Sequence, residues 1–143
     1  VSDVLDIVER PVLLSHGGVR GVCDVGRNLD DALMKRIAAG GGIVGIGFWD
    51  GAVCDFTPEG VVRSIRYAIE LLGVDHVALG SDYDGATEVL FDASELAILT
   101  QTMLAERFTE TEIRKVMGEN AMRFFLRNLP HESHSPRTPS QGG

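Results

Sequence analysis

Three short runs of consecutive apolar residues, separated by longer amphipathic segments, constrain the fold of this 143-residue chain more than any other feature. The runs lie at residues 11–14, 43–48 and 76–80. Because their apolar residues are consecutive rather than alternating, each run is typical of a strand buried on both faces, as in a parallel sheet. Strands of this kind alternating with helices predict the α/β class.

The segments between and after these runs have apolar residues at helical spacing. Asn28 or Asp30 is expected to cap the first helix, and Thr57 followed by Pro58 is a typical start for the second. Gly73 is expected to end that second helix. The pattern predicts four helices, at residues 31–39, 58–72, 94–107 and 110–126.

The composition divides the chain into one domain and a tail. Residues 1–127 are expected to form a single α/β domain. Residues 128–143 are polar and rich in Pro, Ser and Gly, so we expect them to be disordered. Residues 1–10 have helical periodicity but follow no strand, and three parallel strands alone would leave unpaired edges. The sequence is therefore interpreted as starting in the middle of a larger fold.

Charge and hydropathy exclude two classes of partner. The chain has 13 Lys and Arg against 21 Asp and Glu, a net charge of −8 that repels a phosphate backbone, so no nucleic acid is expected to bind. The longest apolar runs are about six residues, whereas a bilayer-spanning helix needs about 20. No membrane span is therefore expected. Since no leader is visible, we interpret the protein as cytoplasmic.

Polar side chains follow each predicted strand, at the end where functional groups gather in parallel α/β folds. His16 follows the first strand, and Asp82 and Asp84 follow the third. An imidazole and a carboxylate that converge there suit zinc binding and proton transfer. The alternatives stay open: His16 could bond a neighbouring loop, and either Asp could close an Asx turn.

Arg27 is a further candidate, because its fork of N–H donors suits a substrate carboxylate. The alternative is a solvated charge ahead of a helix. His76 begins a strand at the opposite end of the predicted sheet and is interpreted as structural. His131 and His134 lie in the polar tail, where no specific role is expected.

Several spaced motifs together resemble the membrane dipeptidase (renal dipeptidase) family of zinc peptidases, over about residues 1–127. They include the Pro-Val-Leu-Leu-Ser-His run, the Arg-Asn-Leu that follows it, and the Gly-Ser-Asp-Tyr-Asp-Gly loop. The sequence Met-Gly-Glu-Asn, followed by Arg123, resembles the closing helix of that family.

The resemblance implies a fold, a reaction and site residues. The fold is a metal-dependent TIM-like (β/α)8 barrel, and the reaction is hydrolysis of a dipeptide substrate at a site with two Zn²⁺ ions. On this resemblance His16 ligates one zinc, Arg27 holds the terminal carboxylate of the dipeptide, and Asp82 transfers the proton at the scissile bond. The remaining ligands, a His-x-Asp pair, a bridging Glu and another His, belong to an N-terminal half that this sequence does not contain.

We therefore interpret the chain as the C-terminal portion of a dipeptidase. A complete (β/α)8 barrel typically needs about 250 residues, so this chain is incomplete as a barrel and would contribute strands six to eight. Alone it is expected to be inactive and to hold no stable two-zinc centre, unless a homo-oligomer supplies the missing ligands. The alternative from another class is a non-catalytic relative or binding module that holds a small acidic ligand without metal.

Cys23 and Cys54 do not form a CxxC pair, so no thiolate zinc site is implied. They follow the first two predicted strands and are expected to lie in neighbouring loops. Some secreted members of the resembling family have a disulfide in this arrangement. Because no leader is visible, we favour two reduced thiols.

Overall fold

The structure is a computed structural model that describes residues 1–130. Most of the predicted tail, with His131 and His134, lies outside the described residues. The helices and strands follow one another along the chain as α1 (Ser2–Ile7), β1 (Leu13–Gly17), α2 (Asp31–Ala39), β2 (Ile43–Ile46), α3 (Asp50–Val53), α4 (Pro58–Leu72), β3 (Val77–Leu79), α5 (Ala97–Ala105), α6 (Glu110–Arg114) and α7 (Asn120–Asn128).

The three strands form one parallel sheet in the order β1-β2-β3, which confirms the predicted α/β class. All four residues of the central strand β2 are buried, as its apolar run predicts. The prediction of burial on both faces is wrong for β1, where Ser15 is exposed and Leu13 and Leu14 are only partly buried. The reason is its position, since β1 is an edge strand in the part of the chain that the structure describes.

Helices α2 and α4 cover the sheet and build the core with it. Met34 and Ile37 of α2 and Ile65 of α4 are almost completely buried. The side chain of Asp30, one of the two predicted caps, accepts a hydrogen bond from the Leu33 amide at 2.9 Å. Of the helices within residues 1–130, none combines the length and the apolar character that crossing a bilayer requires.

The last predicted helix, over residues 110–126, is broken in the structure. Helix α6 is followed by a π-helical turn, Lys115–Glu119, and the backbone leaves the helical region at Gly118. Helix α7 then begins at Asn120, whose buried Nδ2 donates hydrogen bonds to the carbonyls of Val74 (2.6 Å) and Val77 (2.8 Å). The break lets Asn120 reach the start of β3, which a continuous helix would not.

Two other boundaries differ from the prediction. The segment predicted as a helix over residues 94–107 opens with a 3-10 turn, Ala93–Glu95, before α5 begins. Helix α7 extends to Asn128, so the predicted tail loses its first residue to the helix. There Arg10 donates a hydrogen bond to the Asn128 carbonyl at 3.0 Å, which ties the two ends of the described chain together.

A β-bulge in β1 determines where the polar end of that strand lies. Leu14 pairs with Val44 but Gly17 pairs with Ile46, so β1 contains one residue more than β2 over the same length. A bulge of this kind bends its strand and re-aims a side chain. In β1 the extra residue falls at positions 15–16 and therefore re-aims His16.

Candidate active site

His16 and Asp82 lie together although the central strand separates their elements. His16 belongs to β1, Asp82 follows β3, and the imidazole Nε2 is 3.8 Å from Asp82 Oδ1. Glycine makes this approach feasible: a Cβ on Gly80 would lie 2.8 Å from the Cα of His16, and one on Gly45 would lie 2.9 Å from the carbonyl carbon of Ser15. The two outer strands converge because these positions have no side chain.

The imidazole of His16 is oriented from two sides. Ser15 Oγ lies 3.0 Å from Nδ1, within hydrogen-bonding distance. The Trp49 indole meets the imidazole edge to face, with ring centroids 5.9 Å apart. The hydroxyl and Nδ1 can share this hydrogen bond in either direction, depending on the tautomer. In the tautomer with its proton on Nδ1, Nε2 keeps the lone pair that a metal ion would need. This matches metal-ligating histidines, whose second ring nitrogen is held by a hydrogen bond.

Asp82 has a left-handed backbone conformation, with φ 57°, which is uncommon for a residue other than glycine. Its carbonyl accepts hydrogen bonds from the Gly85 amide at 2.9 Å and from Thr87 Oγ1 at 3.3 Å. The turn is therefore closed by the Asp82 carbonyl, and the carboxylate, with 11% of its side chain exposed, faces His16 instead. Asp84, the other candidate, is exposed.

The Arg27 guanidinium stacks on the face of Trp49, with Cζ 4.6 Å from the ring centroid. None of the salt bridges within residues 1–130 includes Arg27. A guanidinium that lies flat on a ring keeps its N–H edge free for a planar, bidentate partner. The arrangement is that of an arginine available to a carboxylate.

A buried asparagine and a disulfide hold the loop that contains Arg27. Asn28 does not cap α2. Its Nδ2 donates to the carbonyls of Cys23 (2.9 Å) and Ala52 (3.0 Å), which joins this loop to α3. Cys23 and Cys54 are disulfide-bonded, with their Cα atoms 5.3 Å apart. The prediction of two reduced thiols is therefore wrong, because the two loops pack closely enough for the bond to form.

Trp49 is a strand-end residue to which the sequence analysis assigned no role. Residues Asp50–Val53 form the short helix α3, which Trp49 precedes. The indole is 4% exposed and contacts both His16 and Arg27. A signal was present in the sequence, since this is the single tryptophan of the chain and it stands at a strand end.

Tyr83 and His76 are two further titratable side chains with defined surroundings. Burial, and then the nearby carboxylates of Asp92 and Glu95, raises the pKa of the Tyr83 phenol. At the opposite end of the sheet, His76 Nδ1 donates to the Gly42 carbonyl at 2.8 Å. That contact agrees with the structural interpretation of His76.

The donor set fits one position of a zinc site rather than a whole centre. His16 offers Nε2 with its other nitrogen held by Ser15, as a zinc ligand requires. Among residues 1–130, however, no three His, Cys, Asp or Glu side chains converge to hold a metal ion. Further ligands would have to come from outside the described residues.

Structural comparison identifies the class of protein. A metallopeptidase from Rhodobacter sphaeroides, solved with a phosphinate mimic of the dipeptide L-Ala-D-Ala, has a TM-score of 0.81 and 30% sequence identity to this chain. The alignment covers 88% of this chain and 38% of that one. The α/β fold with its small parallel sheet is thus similar to part of this metallopeptidase structure.

Sequence comparison identifies the family. The model of the membrane dipeptidase family (peptidase family M19) matches residues 1–136, so this chain belongs to that family. A dipeptidase from Aspergillus terreus, ataJ, is 30% identical over 129 residues, which are 85% of this chain and 32% of the relative. An uncharacterized protein in the pqqA 5′ region of Klebsiella pneumoniae is 35% identical over 128 residues, 83% of this chain and 47% of the relative. The chain thus spans half or less of the length of these relatives.

Proposed function

We propose that this chain supplies His16, Arg27 and Asp82 to the active site of a zinc-dependent dipeptidase. Residues 1–127 would form the C-terminal part of its domain, with β1, β2 and β3 as the last three strands of a (β/α)8 barrel. The observation that supports this most directly is the 3.8 Å approach of His16 to Asp82 across the central strand. Membership of the dipeptidase family supports the reaction class.

Arg27 would bind the C-terminal carboxylate of the dipeptide. Two parallel N–H···O bonds from one guanidinium fix both the position and the orientation of a carboxylate. The Arg27 guanidinium lies over the Trp49 ring, and this contact would restrict the side chain before the substrate arrives. Substrate binding then costs less ordering than it would with a free side chain.

Asp82 would hold and move the proton. Its carboxylate is largely shielded from solvent and held next to the imidazole. In the forward direction it accepts a proton from the attacking water and returns it to the amine nitrogen that leaves when the peptide bond breaks. Proton transfer of this kind needs the carboxylate within hydrogen-bond reach of both groups.

His16 would provide one metal ligand through Nε2. Zinc, when bound with further ligands, polarises the scissile carbonyl and makes water a better nucleophile at neutral pH. The chain itself contributes the orientation of the imidazole, through Ser15 and Trp49.

The test is dipeptide hydrolysis by the enzyme that contains this chain, with Asp82→Asn and Asp84→Asn compared. Asparagine also tolerates the left-handed conformation, so Asp82→Asn removes the proton carrier and keeps the turn. We expect kcat to fall roughly 100-fold or more for Asp82→Asn and to change little for the exposed Asp84→Asn. Unchanged kcat in Asp82→Asn would contradict the assignment.

The alternative function, metal-free binding of a small acidic ligand, predicts different results for the same protein and its variants. Chelator-treated protein would bind a dipeptide with unchanged affinity, Arg27→Lys would weaken that binding, and no variant would show hydrolysis. Calorimetric titration before and after chelation separates the two functions.

A further inference from the structure

We propose that Trp49 is a positioning residue, which sets the Arg27 guanidinium relative to His16 and so fixes where a substrate carboxylate binds. The inference rests on the proposed function, but its central geometric claim can be tested without any turnover.

The indole of Trp49 is shared by the two functional side chains. Arg27 lies over its face at 4.6 Å and His16 meets it edge to face at 5.9 Å. The distance between the guanidinium and the imidazole is therefore set through one rigid ring. No other aromatic side chain within residues 1–130 contacts both.

The ring itself is held on its other sides. A Cβ on Gly47 would lie 2.6 Å from Cη2 of the indole, so glycine at that position lets the ring lie flat against the backbone. The Trp49 backbone forms an antiparallel bridge with Val89, from the loop after β3. With 4% of its surface exposed, the residue has little freedom to change rotamer.

An aromatic ring is suited to this task for an electrostatic reason. A guanidinium is attracted to the negative face of an indole, by about 0.5–2 kcal/mol. The attraction holds Arg27 in place without a carboxylate partner, which would neutralise it and occupy the N–H edge that the substrate needs. An aliphatic side chain of similar size would pack there but would not orient the guanidinium.

The experiment compares Trp49→Leu, which removes the ring, with Trp49→Phe, which keeps an aromatic face. Phe48→Leu is the matched control, because Phe48 is a fully buried neighbour whose aromatic contacts are with Tyr83 and Phe91 instead. The first readout is the NMR shift of the Arg27 δ protons in the full chain. We expect an upfield ring-current shift in wild type, in Trp49→Phe and in Phe48→Leu, and its loss in Trp49→Leu.

The second readout is the split between KM and kcat in the enzyme. Loss of the stacking energy should raise KM in Trp49→Leu roughly two- to thirtyfold, with Trp49→Phe restoring most of it. The effect should be absent in an Arg27→Ala background, since the cation being positioned is then gone.

Failure of this inference and failure of the proposed function look different. If neither the wild-type enzyme nor any variant hydrolyses dipeptides, the proposed function fails. The NMR shift of the Arg27 δ protons then decides the role of Trp49 alone. If Trp49→Leu leaves the Arg27 shift unchanged, or if Phe48→Leu removes it equally, the positioning role is overturned whatever the enzyme does.

Discussion

Gly85 lies against the carboxylate of Asp82, so closely that a Cβ on Gly85 would be 2.6 Å from Asp82 Oδ2. The Gly85 amide also donates to the Asp82 carbonyl, which closes the turn. The absence of a side chain at position 85 is therefore what lets the carboxylate face His16.

Gly85→Ala should accordingly displace the Asp82 carboxylate and lower kcat in the enzyme. The turn is exposed, so the free energy of unfolding should change by no more than a typical surface substitution causes, about 0.5 kcal/mol. Gly26→Ala is the control, because a Cβ there meets nothing within 4 Å. Equal kcat in both variants would show that the carboxylate tolerates the displacement.

Arg27→Lys should raise KM for dipeptides with little effect on kcat. An ammonium cannot form the two parallel hydrogen bonds that a guanidinium offers to a carboxylate. An interaction that stabilises the bound substrate and the transition state equally changes only KM when it is lost. Arg63→Lys, on the remote and exposed ion pair with Asp55, serves as the control in steady-state kinetics. A fall in kcat with constant KM would place Arg27 in the chemical step instead.

The isolated chain should not retain two zinc ions. His16 offers one ligand, and within residues 1–130 no third His, Cys, Asp or Glu joins His16 and Asp82. A zinc site needs three or four protein ligands. Zinc analysis after dialysis measures this, and sedimentation of the same sample gives the oligomeric state. About two tightly held equivalents per monomer would contradict the prediction, whereas the same content in an oligomer would indicate ligands from a second copy.

The Cys23–Cys54 disulfide should stabilise the fold by about 3–4 kcal/mol, from the loop entropy that a bond with a sequence separation of 31 removes from the unfolded chain. Urea unfolding with and without reductant measures this difference in the free energy of unfolding. In the variant with both cysteines replaced by serine, the reductant should have no effect on the unfolding curve. Thiol counting on protein isolated under alkylating conditions also tests the cytoplasmic interpretation. Two free thiols there would show that the bond does not form in the cell.

The ion pairs of Asp75 should make the free energy of unfolding depend on pH. Lys115, and then Arg123, holds the pKa of Asp75 below its usual range. Because the folded pKa is the lower one, this stabilisation is present at neutral pH and is lost as pH falls below about 4. The side chain is half exposed, so Asp75→Asn should cost about 1 kcal/mol or less at pH 7. The gap from wild type should close in acid unfolding curves, and Asp24→Asn, on a solvent-exposed side chain, should show no such gap.

The order of elements could be predicted from the sequence because it depends on local signals. Consecutive apolar residues predicted β2, and Thr57 with Pro58 predicted the start of α4. The break at Gly118 could not be predicted in this way, because it depends on hydrogen bonds from Asn120 to residues more than 40 positions away. Local helical periodicity continues through the break.

The residues of the candidate site could be predicted from the sequence, but the distances between them could not. His16 and Asp82 stand at strand ends, where a parallel sheet gathers polar groups. Their 3.8 Å approach depends on a bulge, on Gly45 within β2 and on Gly80 directly after β3, which no periodicity reveals. The role of Trp49 was missed because an aromatic residue after an apolar strand is usually core.

The disulfide turns residues 23–54 into a covalent ring. That ring contains Arg27, Trp49, the whole of α2 and the central strand β2. A protease that cut the exposed turn at residues 40–41 would therefore open a macrocycle without dividing the molecule, and both halves would stay together until a reductant was added. The part of the site that would recognise the substrate carboxylate is thus topologically protected against a single backbone cleavage.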